Sequence, residues 1–247
     1  MLSKLYQSQF HEFSLGFDDL VEAVVTFLSI LVLIGGIGLW CLHDQPKRLS
    51  WVITLVNSFL MILCSIAYMI VQIEPYSSIQ EFIDRSRPRD LFYGLNNFNV
   101  LVCLWFALAN AFDIIFALVF YRDQMKLLTT WIHHIGFIYI MVTCTTGNGL
   151  FYTVAPSAPT FQYVLIQEVP TFILALGSVF PKYRSDLGFG VSFFALRIVY
   201  HTVLMSYVWY LQVDTFVFMC FFLTIWVHIY WFMSWYKMYS KPRMKNV

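Results

Sequence analysis

Seven residues able to do chemistry stand inside long apolar runs of this sequence: Asp113, His133, His134, Glu168, Arg197, His201 and His228. In hydrocarbon such groups are costly, and they pair, line a water-filled space or build a site. An imidazole beside a carboxylate can be held in one tautomer and made more basic, serving as general base or nucleophile. Asp113 with His133 and His134 is the candidate for that catalytic chemistry. Counting inward from the charged end of each run, at about 1.5 Å per residue, places Asp113, His133, His134 and His228 in one layer roughly 9–12 Å deep. Arg197 and His201 lie deeper, one helical turn apart, with Glu168 at a height between them. These three and His228 are candidates to line a substrate cavity.

Each reading has a plainer counterpart. Glu168 and Arg197 could simply lock two helices together as a buried ion pair. The histidines could make helix–helix hydrogen bonds, and Asp113 could pair with Arg122 or Lys126 at the interface. Adjacent residues on a helix point about 100° apart, so His133 and His134 do not easily hold one metal. A haem held by His133 or His134 with His228 stays open. No metal and no resident cofactor is read from the residues.

The elements that must position these groups follow from composition. Of 247 residues 60% are hydrophobic, 19% aromatic and 12% charged, with mean hydropathy +0.69. That is about half the charge of a soluble domain, too little to cover a water-facing surface. A soluble enzyme, a secreted module and a disordered chain are excluded. The net charge of +1, without a basic stripe, argues against nucleic acid as a partner. The five cysteines, Cys41, Cys64, Cys103, Cys144 and Cys220, are scattered through apolar runs as small buried hydrophobes. No secretory signal is expected at the N-terminus.

Seven segments reach the roughly 20 apolar residues a spanning helix needs: Leu20–Leu42, Leu49–Ile73, Phe98–Tyr121, Leu127–Thr146, Phe161–Phe180, Leu187–Tyr210 and Thr215–Tyr236. Their length excludes barrel strands, which would alternate polar and apolar residues. The expected organisation is an interfacial arm over 1–19, one membrane domain over 20–239 and a cytosolic tail over 240–247. Alternate connections carry 10 and 4 basic residues, which predicts a cytosolic C-terminus. Leu2, Tyr6, Phe10, Phe13 and Phe17 recur at helical spacing in the arm, as a surface helix or a lipid-touching connector. The Ser77–Leu95 loop is read the same way. Pro170 should kink its helix and open room inside the bundle.

Some classes drop out on single residues. A retinal protein needs a lysine in the middle of its last span, and Thr215–Tyr236 has none. A di-iron lipid oxidase needs more histidines. Fatty-acid elongases have a third histidine three residues before the pair, where this chain has Thr130.

Phe112-Asp113-Ile114-Ile115 with Tyr121, then Trp131-Ile132-His133-His134, resembles the aspartate and paired-histidine stretch of the TLC-domain family. Gln167-Glu168-Val169-Pro170-Thr171-Phe172 is similar to that family's Glu-then-Pro segment. Phe193-Phe194-Ala195-Leu196-Arg197 resembles its Arg-bearing helix, and Trp231-Phe232 fits its final span. These elements fall in the family's order across Leu91–Tyr239. The resemblance implies an all-α membrane fold of seven transmembrane helices: a six-helix bundle (about 50–239) around a lipid-accessible cavity, plus one additional helix. It implies the endoplasmic reticulum, and a part in lipid metabolism, lipid homeostasis or cargo export. In the ceramide synthases of the family the paired histidines carry acyl transfer from acyl-CoA to a sphingoid base. By that resemblance His133 and His134 would act here, assisted by Asp113, with acyl-CoA as substrate. The segment after the pair, including Thr143-Cys144-Thr145-Thr146 and Ala155-Pro156-Ser157-Ala158-Pro159, lacks that subgroup's acidic groups, so ceramide synthase activity is not expected. The alternative is a non-enzymatic lipid-sensing, cargo-binding or scaffold subunit with membrane-protein partners. Membrane lipids are expected partners in either case.

Overall fold

The computed structural model describes residues 13–74, 78, 81, 92–149, 155–212 and 214–240. Among them the architecture is all-helical, built from seven helical elements: α1 (Phe17–Leu42), α2 (Val52–Ile73), α3 (Asn97–Phe120), α4 (127–146), α5 (Ala158–Val179), α6 (Asp186–Tyr210) and α7 (Thr215–Tyr239). A short helical turn, Pro46–Leu49, precedes α2. Polar side chains start several helices. Asn96 accepts from the Asn99 N–H, Ser185 from Gly188 and Asp214 from Phe216, at 2.7–3.0 Å. Each satisfies an amide that a helix start leaves without a partner.

Six helices are long and apolar enough to cross a membrane, with Pro46–Leu49 continuing into α2. The exception is α4. Its six residues Leu127–Ile132 form a π-helical turn, and the α-helical part that follows, His133–Thr146, has 14 residues. That is short of the roughly 20 residues a regular span takes. The seventh expected span is thus helical along its whole length but not a full α-helix.

Neighbour relations define a ring. α2 packs on α3 and α5, α3 on α4, α5 on α6, and α6 on α7. Aromatic contacts of His133 with Trp231 and of Tyr139 with Phe216 bring α4 to α7 and close the circle. α1 lies outside, against α2 and α3, with Leu31, Gly35 and Gly38 as its buried seam. Its outer residues Val21, Val25, Val32, Leu33 and Trp40 are exposed apolar surface, suited to lipid rather than water. α6 and α7 approach closely at Gly190, where a Cβ would stand 2.0 Å from the Trp235 ring.

The described basic residues other than Arg197 all sit at one end of this ring: Lys47, Arg48, Arg122, Lys126, Lys182, Arg184 and Lys237. Arg48 ties that end together by donating twice to the carbonyl of Val179, which closes α5. At the opposite end Ser14 and Asn97 exchange two hydrogen bonds, fixing the chain before α1 to the start of α3. α1 begins at Phe17, three residues before the expected Leu20, so Phe17 belongs to the helix rather than the arm. The rest of the arm over 1–12, most of the Ser77–Leu95 loop and the tail over 241–247 lie outside the described residues.

Candidate functional site

The helices that carry the candidate residues are irregular just where they carry them. α5 tightens to a 3₁₀ turn over Leu165–Glu168 before Pro170, whose missing N–H removes a regular helical bond at that point. α6 widens to a π-helix over Phe194–Tyr200, which contains Arg197, and the π turn of α4 delivers His133 and His134. Such segments are uncommon in helices and concentrate at functional positions.

Arg197 reaches from α6 into the 3₁₀ turn of α5. Its Nε donates to the Gln167 carbonyl (2.9 Å), and Nη2 donates to Glu168 Oε1 (3.2 Å) and Thr171 Oγ1 (2.6 Å). The Glu168–Arg197 pair expected from depth counting is present, and both side chains are largely buried. His201 engages both ring nitrogens, Nδ1 with the Gln167 side-chain amide (3.1 Å) and Nε2 with the Phe221 carbonyl (3.0 Å). A carbonyl only accepts, so Nε2 carries the proton and Nδ1 of the neutral ring needs a donor. Turning the Gln167 amide supplies it, and also pairs the Gln167 nitrogen that is otherwise buried without a partner. His228 donates from Nδ1 to the Arg197 carbonyl (3.0 Å), and its ring packs edge-on to His201, with centroids 5.0 Å apart.

The second cluster lies nearer the basic end. The Tyr121 hydroxyl donates to Asp113 Oδ1, while Oδ2 faces His134 Nδ1 at 3.6 Å. That is ion-pair spacing but too long for a hydrogen bond, which leaves this nitrogen unbonded. Asp113 thus pairs with Tyr121 and His134 rather than with Arg122 or Lys126. His133 packs against Phe137 and Trp231. The two adjacent rings stand with centroids 5.5 Å apart and line one cavity.

Two cavities meet among these groups. One, with about 730 Å³ of empty space including its open mouth, is lined mostly by apolar side chains of α3–α7. Gln167, Glu168, Arg197, His201 and His228 gather at one end of it. Along α7 it runs from His228 to Phe216, about 18 Å at 1.5 Å per residue. The other cavity, about 360 Å³, is lined by Asp113, His133 and His134 with Asn57, Asn110 and Thr171. Glu168 and Phe106 line both. The cavities therefore lie end to end along the bundle, apolar chamber then polar vestibule, and the vestibule adjoins the basic end.

One expectation fails. His228 does not share a layer with Asp113, His133 and His134; it joins Arg197 and His201. Its Nδ1 bonds the Arg197 carbonyl and its ring packs on His201, which fixes it at their height. For a haem, His133 and His228 would have to ligate beside Trp231, whose indole packs on both imidazoles. Among the described residues no group of three or more His, Cys, Asp or Glu could hold a metal ion. The sequence reading missed Tyr121 as the partner of Asp113, Gln167 as the partner of His201, and Trp231 beside two imidazoles. It also missed Asn57 and Asn110, which were open to discovery as amides within otherwise apolar spans.

The class defined by fold and site is a multi-pass helical membrane protein with a two-part internal cavity. No family model, no curated protein and no solved structure matches this chain.

Proposed function

We propose that this is a seven-span TLC-type protein of the endoplasmic reticulum membrane that binds an acyl lipid and transfers its acyl group at the His133/His134 pair. The observation that carries this reading is the junction of an apolar chamber with a polar vestibule at Glu168 and Phe106. The chamber's lining extends about 18 Å along α7, close to half of a bilayer's roughly 30 Å hydrocarbon core, the depth one acyl chain fills. The chain of an acceptor lipid laid in it brings its polar end to the junction, where it takes the acyl group of an acyl-CoA thioester as the CoA thiol leaves. The vestibule then offers what acyl transfer needs. His134, facing the Asp113 carboxylate that Tyr121 holds, serves as base, and His133 is the second imidazole lining the vestibule. The basic end beside the vestibule suits the phosphates of an acyl-CoA thioester and a cytosolic orientation. α4 completes the seven spans as a 20-residue helical segment shortened by its π turn.

The test is to replace His133 and His134 by alanine in cells and profile the lipids. The expected outcome is a change in acyl-lipid composition at unchanged protein level. Unchanged lipids would leave the chamber to a lipid-sensing, cargo-binding or scaffold subunit. Stoichiometric protein subunits, rather than lipid, co-purifying in mild detergent would identify that role.

A further inference from the structure

The nitrogens of the chamber's histidines are not equivalent, and the difference selects a ligand. His201 has both nitrogens engaged, by Gln167 and by the Phe221 carbonyl. His228 gives its Nδ1 proton to the Arg197 carbonyl, so in the neutral ring Nε2 is a bare acceptor. A second proton on His228 would put another buried cation beside Arg197, where one carboxylate, Glu168, already answers one guanidinium. Nε2 makes no hydrogen bond among the described residues, and His228 lines the chamber. Arg197 lines the same space, and its Nη1 group bonds no described residue, whereas Nε and Nη2 are spent on Gln167, Glu168 and Thr171.

Beside the Glu168–Arg197 pair the polar end of the chamber thus presents an imidazole acceptor and a guanidinium donor at no net charge, at the head of an apolar lining that extends about 18 Å along α7. A carboxylate does not fit, because it would meet the lone pair of His228 and the negative charge of Glu168. An ether or ester oxygen could accept from Arg197 but would leave Nε2 unanswered. A hydroxyl does both: its proton goes to Nε2 and its oxygen accepts from Nη1.

We propose that the chamber binds a neutral single-chain lipid through a hydroxyl group held between His228 and Arg197. This rests on the reading of the chamber as a lipid site and names the lipid's chemistry. The hydroxyl would stand at the junction with the vestibule, as the acceptor of an acyl group would.

Saturable photolabelling of the full-length protein in lipid nanodiscs tests it. Three diazirine probes of equal chain length would be compared: hexadecanol, its methyl ether and hexadecanoic acid. The alcohol is expected to label with at least roughly tenfold tighter half-saturation than the other two, since a site built to bond a hydroxyl rejects analogues that lack it. In His228→Phe, which keeps an aromatic ring but no acceptor, the alcohol should fall to the level of the ether. The comparison of the three probes on the unaltered protein stands even if that variant fails to fold. Equal labelling by alcohol and ether, or stronger labelling by the acid, overturns the hydroxyl assignment and leaves the lipid chamber standing. No saturable labelling by any probe overturns both.

Discussion

The two buried polar clusters of this molecule differ in how fully they are satisfied. Around Arg197, the bonds to the Gln167 carbonyl, Glu168 and Thr171, with His201 bonded on both nitrogens and His228 on one, tie α5, α6 and α7 together. Around Asp113 the bonding is sparse. Tyr121 holds one carboxylate oxygen, His134 stands 3.6 Å from the other, and the vestibule lies open beside them. A satisfied network in a low-dielectric interior is rigid and holds helices in place, whereas loosely engaged groups facing a cavity keep their bonding capacity for something else. The first cluster is therefore chiefly a structural clasp with one free nitrogen on His228. The second is chiefly a reactive surface.

The sharpest way to break this contrast is Arg197→Ala. It leaves Glu168 as a buried charge without a partner and removes three hydrogen bonds that join two helices. The expected loss is about 3–5 kcal/mol, the cost of breaking a buried pair from one side. It would be read as a large drop in the thermal unfolding midpoint of the detergent-purified protein. Arg197→Ala with Glu168→Ala should be less destabilising than Arg197→Ala alone, because the stranded charge is gone. Equal stability of Arg197→Ala and the unaltered protein would remove the clasp.

Tyr121→Phe is the intermediate case, with one foot in each cluster's logic. It deletes the hydroxyl that holds Asp113 and leaves a buried carboxylate oxygen without its donor. A hydrogen bond to a charged group is worth about 1.5–3 kcal/mol, so the unfolding midpoint should fall by less than in Arg197→Ala. The Asp113 carboxylate also becomes free to turn, so the lipid profile should move in the direction of the His133/His134 double variant. A Tyr121→Phe protein with an unchanged midpoint would show that Asp113 is not anchored in this way.

How much of this was legible beforehand depends on whether the information is local. Hydropathy placed the helices, because a lipid-facing helix shows its environment in every residue, as α1 and α2 do. The Glu168–Arg197 pair followed from counting depth, since two opposite charges at one height in a bundle rarely ignore each other. The partner of Asp113 did not, because Tyr121 lies beyond the end of α3 and reaches back from a non-helical position. Depth failed for His228 because a count along one helix does not say which neighbour its ring meets, and here that is the Arg197 carbonyl and His201. The π turns are set by which neighbours α4 and α6 must meet, and nothing in Leu127–Ile132 or Phe194–Tyr200 announces them. The resemblance in the His133 and Arg197 segments supplied candidate residues, but not which ring nitrogen is free, and that is what separates a clasp from a reactive group.

The smallest expected effect on stability is also the most informative. His134→Ala removes an imidazole that makes no hydrogen bond at its Nδ1 and lines a cavity already present. The change in unfolding free energy should be about 1 kcal/mol or less, within the range of substitutions that break no buried network. Its effect on lipid composition should nevertheless match that of the double variant, because His134 is the imidazole that faces the Asp113 carboxylate. A protein as stable as the unaltered one, with the lipid phenotype of the double variant, would separate holding from reacting at a single residue. If His134→Ala instead lowered the midpoint as far as Arg197→Ala does, the second cluster would be a clasp like the first, and the chemistry would have to move to His133 or to the free nitrogen of His228.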